Sequence, residues 1–532
     1  MNLIDQEQRD RILENSGDLV VSASAGSGKT TIMVKKMGLE LEKITDHRTI
    51  AAITFTVKAT DEIKRKAKSG NNSKKPIVVM TNDSFIESEI IRPFIKDAFG
   101  KEFGNDYSVE YANKYKFDTY SSGLKQLKSK NILGSFEDNK RNFNFKLALE
   151  ILKDSVAAQE YIRAKYAWIF LDEYQDSDGD MHRFFMQLNK ELNIKLFIVG
   201  DSKQAIYLWR GAMSNVFDQL DNEEFDSYEL VTNFRCDKEI ENYANLFHNP
   251  QYVTNLPSNV KNLVFKEYNT FNSFYERRDF VGFVDQFKSI ITDGILDLSK
   301  EVTIIANYNN DAKKITELLN KGGFDFVFIP KTPIDEGIPN GYLLKELALY
   351  SKNSTYTIYD FLEKTSIDER VRTRFEVNNI IRELKDPKKL MPNIIEKVVS
   401  ELANYLGITI GKDEINKFCD SICNEKYDMA FRIMDSKYKV MTVFASKGLE
   451  FDQVISFARY YKIYNDEDLQ NHYVCITRAK EKFIMFIDNE AYIKHVKEVA
   501  NKNNLKDINK LVKVAKKNKS KITSKTQEGS SS

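Results

Sequence analysis

The segment from Ala23 to Thr31, ASAGSGKTT, is the feature that most constrains how this chain can fold. It follows the apolar run Leu19-Val20-Val21 and precedes a helical pattern that begins at Ile32. A strand, a glycine-rich loop and a helix in this order are typical of a phosphate-binding loop, whose backbone N–H groups surround an anion at the helix N-terminus. The segment therefore predicts an α/β fold that binds a nucleoside triphosphate. The alternative is a plain Gly/Ser turn.

The chemistry of the loop assigns a role to its residues. The Lys29 ammonium would reach the β- and γ-phosphates, and the Thr30 hydroxyl would hold Mg²⁺. Ala23 stands where the usual pattern begins with glycine. The predicted nucleotide contacts of the loop are Ser24, Ala25, Gly26, Ser27, Gly28, Lys29, Thr30 and Thr31.

Two adjacent carboxylates follow a second predicted strand, Ala167 to Leu171. Asp172 can hold Mg²⁺ through water, and Glu173 can orient or deprotonate an attacking water. The alternative is an acidic loop, since the sequence DEYQDSDGD is rich in acids. The phosphate-binding loop upstream favours the catalytic interpretation.

A third predicted strand, Lys195 to Gly200, is followed by Gln204, which is placed to sense a γ-phosphate. Tyr207, Trp209 and Arg210 come directly afterwards. Aromatic rings interleaved with arginine are typical of a platform on which nucleic-acid bases stack. From these residues alone, core packing is the better explanation of Tyr207 and Trp209.

Composition excludes several classes of protein. The 532 residues exceed what one hydrophobic core supports, and the 42% hydrophobic and 30% charged content is that of a soluble globular protein. No apolar run of about 18 residues predicts a membrane span. Four scattered cysteines give no disulfide framework, which indicates a reducing cytoplasm, and five dispersed histidines form no metal site.

The formal net charge is only +1, so any nucleic acid would bind a local positive groove. The segment after about Asn501 is rich in lysine. It is explained most simply as a solvated or disordered end, although it could hold nucleic acid through phosphates.

The order of predicted strands indicates two α/β units with a cleft between them, each interrupted by a mainly helical insertion. An arginine inserted at a γ-phosphate typically accelerates hydrolysis by about 10³–10⁵. Arg235 and Arg478, near strand ends, are the candidates. Spacing alone would not single them out, because arginines at such positions are usually surface residues.

Taken in order, these segments resemble the UvrD/Rep/PcrA family of superfamily 1 DNA helicases. The resemblance spans residues 4 to 487. Its motifs, as they stand here, are IDQEQR at 4–9, ASAGSGKT at 23–30, TFTVKATDEIKRK at 54–66, TNDSF at 81–85, LDEYQD at 171–176, VGDSKQAIYLWRGA at 199–212, LVTNFRC at 230–236, MTVFASKGLEF at 441–451 and YVCITRAKEK at 473–482.

The resemblance implies ATP and Mg²⁺ as ligands and gives each motif residue a role. Gln8 would contact adenine, Phe234 would stack on adenine, and Glu450 would lie near the ribose. Arg235 and Arg478 would be the two arginine fingers. For DNA, the implied contacts are Phe55, Tyr207, Trp209 and Arg210, with Gln204 linking the γ-phosphate to DNA.

The family also implies a fold of two RecA-like parallel-sheet domains, each with a mainly helical insertion. The predicted boundaries are 1–90 and 165–240 for the ATP-binding domain 1A, 91–164 for insertion 1B, 241–330 and 436–495 for domain 2A, 331–435 for insertion 2B, and 496–532 for a basic tail.

Several positions depart from the family pattern, among them Val57, the pair Asn82-Asp83, and Phe444 in place of a histidine. They concern DNA contact and coupling more than nucleotide chemistry. The chain is therefore predicted to be a cytoplasmic ATP-dependent helicase or translocase on DNA with single-stranded regions, moving 3′ to 5′. The alternative is a DNA-stimulated ATPase that regulates a nuclease and unwinds little.

Short insertions also make the chain similar in plan to the compact helicase subunits that accompany nucleases in bacterial anti-phage systems such as Gabija. A nuclease subunit is accordingly an expected partner, and no association with a membrane is expected.

Overall fold

Most of the described strands form two large sheets of six and seven strands, and four short strands pair in two two-stranded sheets. The computed structural model describes residues 3–55, 57–70, 75–110, 113–220, 223–268, 280–335, 338, 340–365, 367, 371–408, 410–432, 436–463 and 466–516. Its strands are β1 (Leu19–Ala23), β2 (Thr49–Thr54), β3 (Ile77–Thr81), β4 (Ser108–Val109), β5 (Lys116–Phe117), β6 (Ile132–Leu133), β7 (Ser135–Phe136), β8 (Tyr166–Leu171), β9 (Lys195–Gly200), β10 (Asp226–Leu230), β11 (Leu263–Glu267), β12 (Val302–Ala306), β13 (Val327–Ile329), β14 (Tyr438–Thr442), β15 (Phe451–Phe457), β16 (Ala479–Ile487) and β17 (Lys513–Ala515).

The first sheet has the order β10-β1-β9-β8-β2-β3, and its neighbouring strands are parallel. The chain leaves β1 for β2 and returns later to place β9 and β10 on either side of β1. The order of strands therefore reverses at β1, and the carboxyl edge at such a point is where α/β sheets bind their ligands. This edge carries the site described below.

The first of two compact units comprises Met1–Arg235, Ile329–Ser436 and Phe444–Leu449. Two core clusters cover the two faces of its sheet, and one of them continues into the segment between β3 and β8. The α-helices of Met1–Arg235 are Gln6–Glu14, Lys29–Lys43, Val57–Gly70, Asn82–Ile86, Arg92–Phe99, Tyr120–Lys130, Phe143–Asp154, Val156–Lys165, Gly179–Leu192 and Val216–Leu220, with a π-helical turn at Glu87–Ile91.

The segment from Ile329 to Ser436 is helical and has a hydrophobic core of its own. Aliphatic side chains repeat at helical spacing, as in Ile395, Val398, Val399 and Leu402, so one face of each helix is buried. Its α-helices are Gly341–Lys352, Ile358–Thr365, Val371–Ile381, Pro392–Leu406 and Lys412–Cys423.

The second unit comprises Cys236–Phe328, Lys437–Val443 and Glu450–Ser532. Its sheet has the order β13-β14-β12-β15-β16-β11-β17. The described α-helices of this unit are Lys238–Leu246, Phe283–Thr292, Asn309–Lys321, Asp466–Ile476 and Glu490–Lys502, and a short helix, Val443–Ser446, follows β14.

The predicted α/β fold with two parallel sheets and helical insertions is confirmed. The four-domain boundaries stay a prediction. The prediction of a solvated or disordered end after about Asn501 is wrong for the described part, because β17 adds an edge strand that pairs in parallel with β11. Residues 517–532 lie outside the described residues. In the part of the chain that is described, no helix is long and apolar enough to cross a membrane.

Candidate functional site

The phosphate-binding loop leaves β1 at the carboxyl edge of the first sheet, as predicted. Gly26 and Gly28 have φ values of 72° and 79°, a region that favours glycine. A Cβ atom on Gly26 would lie 2.7 Å from the Asn233 Oδ1 atom and 2.8 Å from the Arg235 Cβ atom. The Phe234 N–H donates to the Gly26 carbonyl at 2.8 Å. The segment that follows β10 therefore packs directly against the loop and is hydrogen-bonded to it.

The loop offers several donors to an anion. The helix Lys29–Lys43 begins here with Gly28 as its N-cap, so its first N–H groups have no partner within the helix. Ser27 is buried, and its hydroxyl has no hydrogen-bond partner among the described residues. Ala25 is buried as well, whereas Thr31 is exposed and accepts a bond from Lys66 at 3.2 Å. These features fit a phosphate group.

Lys29 and Glu173 form an ion pair across the site, with 2.6 Å between Nζ and Oε1. Burial raises the pKa of Glu173, but the charges of Lys29 and Lys447 outweigh it and hold that pKa at about 2. Burial opposes the charged form of Lys29 too, yet the carboxylates of Glu173 and Asp172 raise its pKa. Glu173 also has a φ of 55°, which is uncommon for a residue other than glycine and points to a functional constraint.

A set of hydrogen bonds connects Glu173 back to the loop. Gln175 donates to the second Glu173 oxygen and accepts from the Asp201 N–H at 3.0 Å. The Asp201 carboxylate lies 3.2 Å from the Lys203 ammonium, which donates to the Ser24 hydroxyl at 3.0 Å. We call these side chains the phosphate-loop network: Ser24, Lys29, Glu173, Gln175, Asp201 and Lys203. Fixing both ends of the loop in this way orients Lys29 and Glu173.

Gln204 belongs to the same region, and its role as a γ-phosphate sensor stays a prediction. Its Nε2 atom donates to the Asp201 Oδ2 atom at 2.8 Å. The main-chain carbonyl of Gln204 accepts from the Lys447 ammonium at 3.3 Å. Lys447 also pairs with the Asp176 Oδ2 atom at 2.5 Å. Burial raises the pKa of Asp176 to about 6, although the Lys447 charge opposes this.

A second group of contacts lies on the side where the resemblance places adenine. Asp5 and Arg9 form two bonds at 2.9 and 3.0 Å, and Arg9 donates to the Ser27 carbonyl at 2.8 Å. The Arg9 guanidinium lies 5.2 Å from the centre of the Phe234 ring, which is 59% exposed. Burial favours a raised pKa for Asp5, but the hydrogen bonds from Arg9 and Thr232 hold it at about 2.

An exposed aromatic ring beside a fixed guanidinium can hold a nucleobase. Gln8 is half-buried on the same helix, and its amide makes no hydrogen bond to another described side chain.

The predicted DNA contacts are brought together only in part. Tyr207 is half-buried; the Lys447 ammonium lies 4.7 Å from its ring centre, the Arg210 guanidinium 5.8 Å, and the Phe444 ring 6.1 Å. Phe55 is also half-buried and packs on the first-sheet core. Trp209 is in the 3₁₀ turn Leu208–Arg210, but its side chain lies outside the described residues.

The two predicted arginine fingers have different surroundings. Arg235 is half-buried next to Gly26 of the loop. Arg478 belongs to the second unit and is 2% exposed, with its Nε atom donating to the Val474 carbonyl at 3.1 Å. Glu450 is exposed in that same unit.

The residues predicted to hold Mg²⁺ fit that ion. Asp172 is buried at the end of β8 and Thr30 is half-buried at the start of the loop helix, and carboxylate and hydroxyl oxygens are the ligands that Mg²⁺ takes. In the described residues, no cluster of three or more His, Cys, Asp or Glu side chains could hold a metal. A magnesium ion held by two protein groups would rely on phosphate oxygens and water for the rest.

Sequence reasoning missed several side chains that the structure places in the site. They are Asp5, Arg9, Gln175, Asp176, Asp201, Lys203 and Lys447. All of them lie inside motifs whose letters the sequence shows, so the signal was present. Their roles depend on which atoms they contact, which spacing does not give.

Comparisons with known proteins agree with the sequence resemblance. The profile of the UvrD/REP helicase N-terminal domain matches residues 4–146 and 112–225. The Gabija protein GajB of Bacillus cereus (strain VD045) is 41% identical over 511 residues, which cover 95% of this chain and 100% of GajB.

Two further relatives are more distant. A probable DNA helicase II homolog of Mycoplasma pneumoniae is 23% identical, covering 92% of this chain and 87% of that protein. The ATP-dependent DNA helicase PcrA of Staphylococcus aureus is 25% identical over 296 residues, covering 46% of this chain and 40% of PcrA.

Proposed function

Because this chain belongs to the UvrD/REP helicase family, we propose that it couples ATP hydrolysis to movement along single-stranded DNA, in the 3′ to 5′ direction. Its enzyme class is that of the family, the ATP-dependent DNA helicases. The observation that carries the coupling is the phosphate-loop network, in which Asp201 binds Gln204 and Gln175 while Lys203 reaches Ser24. One set of bonds thus joins the phosphate site to the segment before Tyr207.

For nucleotide binding, we propose that Phe234 and Arg9 hold the adenine with Gln8, and that the loop and Lys29 hold the phosphates. Mg²⁺, held by Thr30 and Asp172, would neutralise charge on the phosphate oxygens. The GajB relative and the family both favour this assignment.

The Lys29–Glu173 ion pair explains how nucleotide binding would precede the activation of Glu173 as a base. A triphosphate competes with Glu173 for the Lys29 ammonium, because its oxygens carry more negative charge. Loss of Lys29 removes the largest charge that lowers the pKa of Glu173, so the carboxylate becomes a stronger base. Glu173 is thereby activated only when its substrate is bound. Gln175 keeps it oriented meanwhile.

The proposal also assigns the two arginines. Arg235 lies beside the phosphate loop and would stabilise charge that develops on the γ-phosphate. Arg478 carries the same proposed role by resemblance alone. Removal of either is expected to lower turnover while leaving the phosphate-loop network intact.

Lys447 and Gln204 would pass the state of the phosphates to the DNA contacts. The Lys447 ammonium pairs with Asp176, bonds to the main-chain carbonyl of Gln204 and lies over the Tyr207 ring. A shift of Gln204 would therefore move Lys447 relative to that ring. Bases would stack near Tyr207, Trp209 and Arg210, with Phe55 as a further contact.

A second candidate function is a DNA-stimulated ATPase that regulates a nuclease and unwinds little. It is favoured by Phe444, whose ring lies 6.1 Å from that of Tyr207 where the family pattern has a histidine. Together with the resemblance to the helicase subunits of anti-phage systems such as Gabija, the relative named Gabija protein GajB favours a role for this chain in anti-phage defence, with a nuclease as partner. Strand displacement by the purified chain separates the two candidates, since only the first requires it.

The first experiment is steady-state ATPase of the purified chain with and without single-stranded DNA. The proposal predicts hydrolysis that single strands stimulate. Lys29→Ala should reduce it by about 10²-fold or more, because one donor to a developing charge typically contributes this much. Lys35→Ala, which removes an exposed lysine of the same helix, is the matched control. Full activity of Lys29→Ala would show that the site is wrongly assigned.

A further inference from the structure

A pocket of about 400 Å³ lies in the first unit, outside the phosphate-loop network. It is formed by the inserted segment between β3 and β8 on one side and by the start of the helix Gly179–Leu192 on the other. Two aromatic rings and four cationic side chains line it, together with two carboxylates and a glycine. Its volume is in the range of about 300–1,000 Å³ that is usual for small-ligand sites.

Most of the charges at this pocket already have partners. The Lys146 ammonium pairs with Glu150 at 2.5 Å, and Arg183 pairs with Asp180. Asp178 accepts two N–H groups of the helix that it caps, and the Asn142 amide as well. The cations that remain for a ligand are therefore those of Lys140 and Arg141.

Arg141 is held in place from two sides. Its guanidinium lies 3.9 Å from the centre of the Phe136 ring and donates to the Asp118 carbonyl at 2.9 Å. The Lys140 ammonium makes no ion pair with any side chain in the described part of the chain. The main-chain N–H of Lys140 donates to the Asp138 carboxylate at 2.9 Å, which fixes the backbone at this position. A cation held before binding loses little side-chain entropy when a ligand arrives.

Tyr120 adds an unsatisfied polar group to the pocket. Its ring is half-buried, and its hydroxyl is buried with no hydrogen-bond partner among the described residues. A buried hydroxyl without a partner is destabilising, so a ligand that bonds to it is favoured. A nucleobase has both the flat face and the edge atoms that such a tyrosine can contact.

The pocket adjoins the segment proposed to contact DNA. Gly211, with a φ of 97°, approaches Lys140 so closely that a Cβ atom there would lie 2.4 Å from the Lys140 carbonyl oxygen. On the other side, the Met213 N–H donates to the Ser177 carbonyl at 2.9 Å. The turn Leu208–Arg210 therefore leads directly to the rim of the pocket.

We propose that this pocket holds one nucleotide of the single strand, adjacent to those on Tyr207 and Arg210. Lys140 and Arg141 bind its phosphate, and Tyr120 contacts its base. The inference rests on the proposed function, since it adds a site to the path of the same strand. It makes the inserted segment a part of the DNA-binding surface, where sequence motifs gave no signal.

The test is the affinity of the full chain for a labelled single-stranded oligonucleotide, measured by fluorescence anisotropy at several salt concentrations. Lys140→Gln with Arg141→Gln is expected to weaken binding about tenfold. The slope of log affinity against log salt should fall in magnitude by about 0.7, because the two cations bind one phosphate and each phosphate contact to a single strand contributes roughly 0.7. Arg141→Lys in the presence of Lys140 should keep most of the slope. Lys128→Gln, on the same insertion and paired with Glu102, is the matched control.

Each outcome decides the inference. If the wild-type chain binds and the double variant matches the Lys128→Gln control in both affinity and slope, the pocket is not on the strand's path, and the proposed function stands. If the wild-type chain binds no single strand, the proposed function and this inference both fail. ATP affinity of the double variant should equal that of the wild type, which excludes misfolding as the cause of weaker DNA binding.

Discussion

Two groups of buried polar side chains, one in each unit, differ in charge. The phosphate-loop network of the first unit contains two cations and two carboxylates, with the strained Glu173 among them. In the second unit, Tyr243, Tyr492 and His472 form the tyrosine–histidine chain, with hydrogen bonds of 2.5 and 2.6 Å. Burial lowers the pKa of His472 well below its ordinary value, so this chain is neutral.

The difference shows how burial separates function from structure. A neutral hydrogen-bonded group fits a core and stabilises it. Buried charges are kept at a cost, and here they surround a loop in which the buried Ser27 hydroxyl has no hydrogen-bond partner among the described residues. We therefore expect variants of the phosphate-loop network to change turnover, and variants of the tyrosine–histidine chain to change stability.

The largest effect is expected for Glu173→Gln. An amide cannot take a proton from water, so kcat for ATP should fall by about 10²–10⁴-fold, as is typical when a general base is lost. ATP binding should persist, because the amide still fits beside Lys29 and Gln175. Single-turnover hydrolysis and nucleotide affinity are the measurements.

Glu42→Gln, at an exposed position of the loop helix, is the control and should leave turnover unchanged. A Glu173→Gln variant that hydrolyses at the wild-type rate would remove the basis for distinguishing the two groups.

The opposite behaviour is expected for Tyr492→Phe. The change removes the hydroxyl that bonds to both Tyr243 and His472, and a buried partner left unsatisfied costs about 1–3 kcal/mol. Chemical denaturation should show this loss, while KM and kcat for ATP stay unchanged. Reduced turnover with unchanged stability would contradict the structural role of the tyrosine–histidine chain.

The sequence predicted half of the first group and none of the second. Ser24 and Lys29 lie in the glycine-rich loop and Glu173 lies just after a strand, so local pattern and phosphate chemistry predict them, whereas Gln175, Asp201 and Lys203 were missed. The phosphate loop, both sheets and the helical insertions were predicted for the same reason.

Contacts between distant segments could not be predicted from spacing. Lys203 and Ser24 are 179 positions apart, and the edge strand β17 is defined by its pairing with the distant strand β11. Tyr492 and Tyr243 are likewise joined only by the fold. These pairings depend on tertiary packing, for which a single sequence carries no local signal.

His472 gives the tyrosine–histidine chain a dependence on pH. Burial, with the neighbouring charges of His248 and His495, lowers its folded pKa, so the unfolded chain binds a proton more readily. Stability should therefore be complete above the unfolded value of about 6.5 and fall as pH drops below it, by up to about 1.4 kcal/mol per pH unit for one proton. Denaturant unfolding at pH 7.5, 6.5 and 5.5 measures this.

His472→Gln should flatten that pH profile, whereas His47→Gln, at an exposed position of the first unit, should not. A wild-type chain that is more stable at pH 5.5 than at 7.5 would reverse the sign of the argument.

The smallest expected effects come from substituting two buried lysines, one in the phosphate-loop network and one in the second unit. Lys203 contacts Ser24 and Asp201 of the phosphate-loop network, whereas Lys266 in the second unit donates to the Lys516 carbonyl at 3.0 Å. Lys203→Met should lower ATPase turnover about tenfold, because Ser24 and the loop lose a support worth roughly one charge-assisted hydrogen bond.

Lys266→Met should leave turnover unchanged and alter stability by less than about 1.5 kcal/mol, since an apolar side chain of similar length can replace a buried cation at little net cost. ATPase assays and denaturation of both variants test the pair together. If Lys266→Met reduced turnover as much as Lys203→Met did, a buried charge would affect turnover without any contact to the phosphate loop. Contact with the phosphate loop would then have to be abandoned as the criterion.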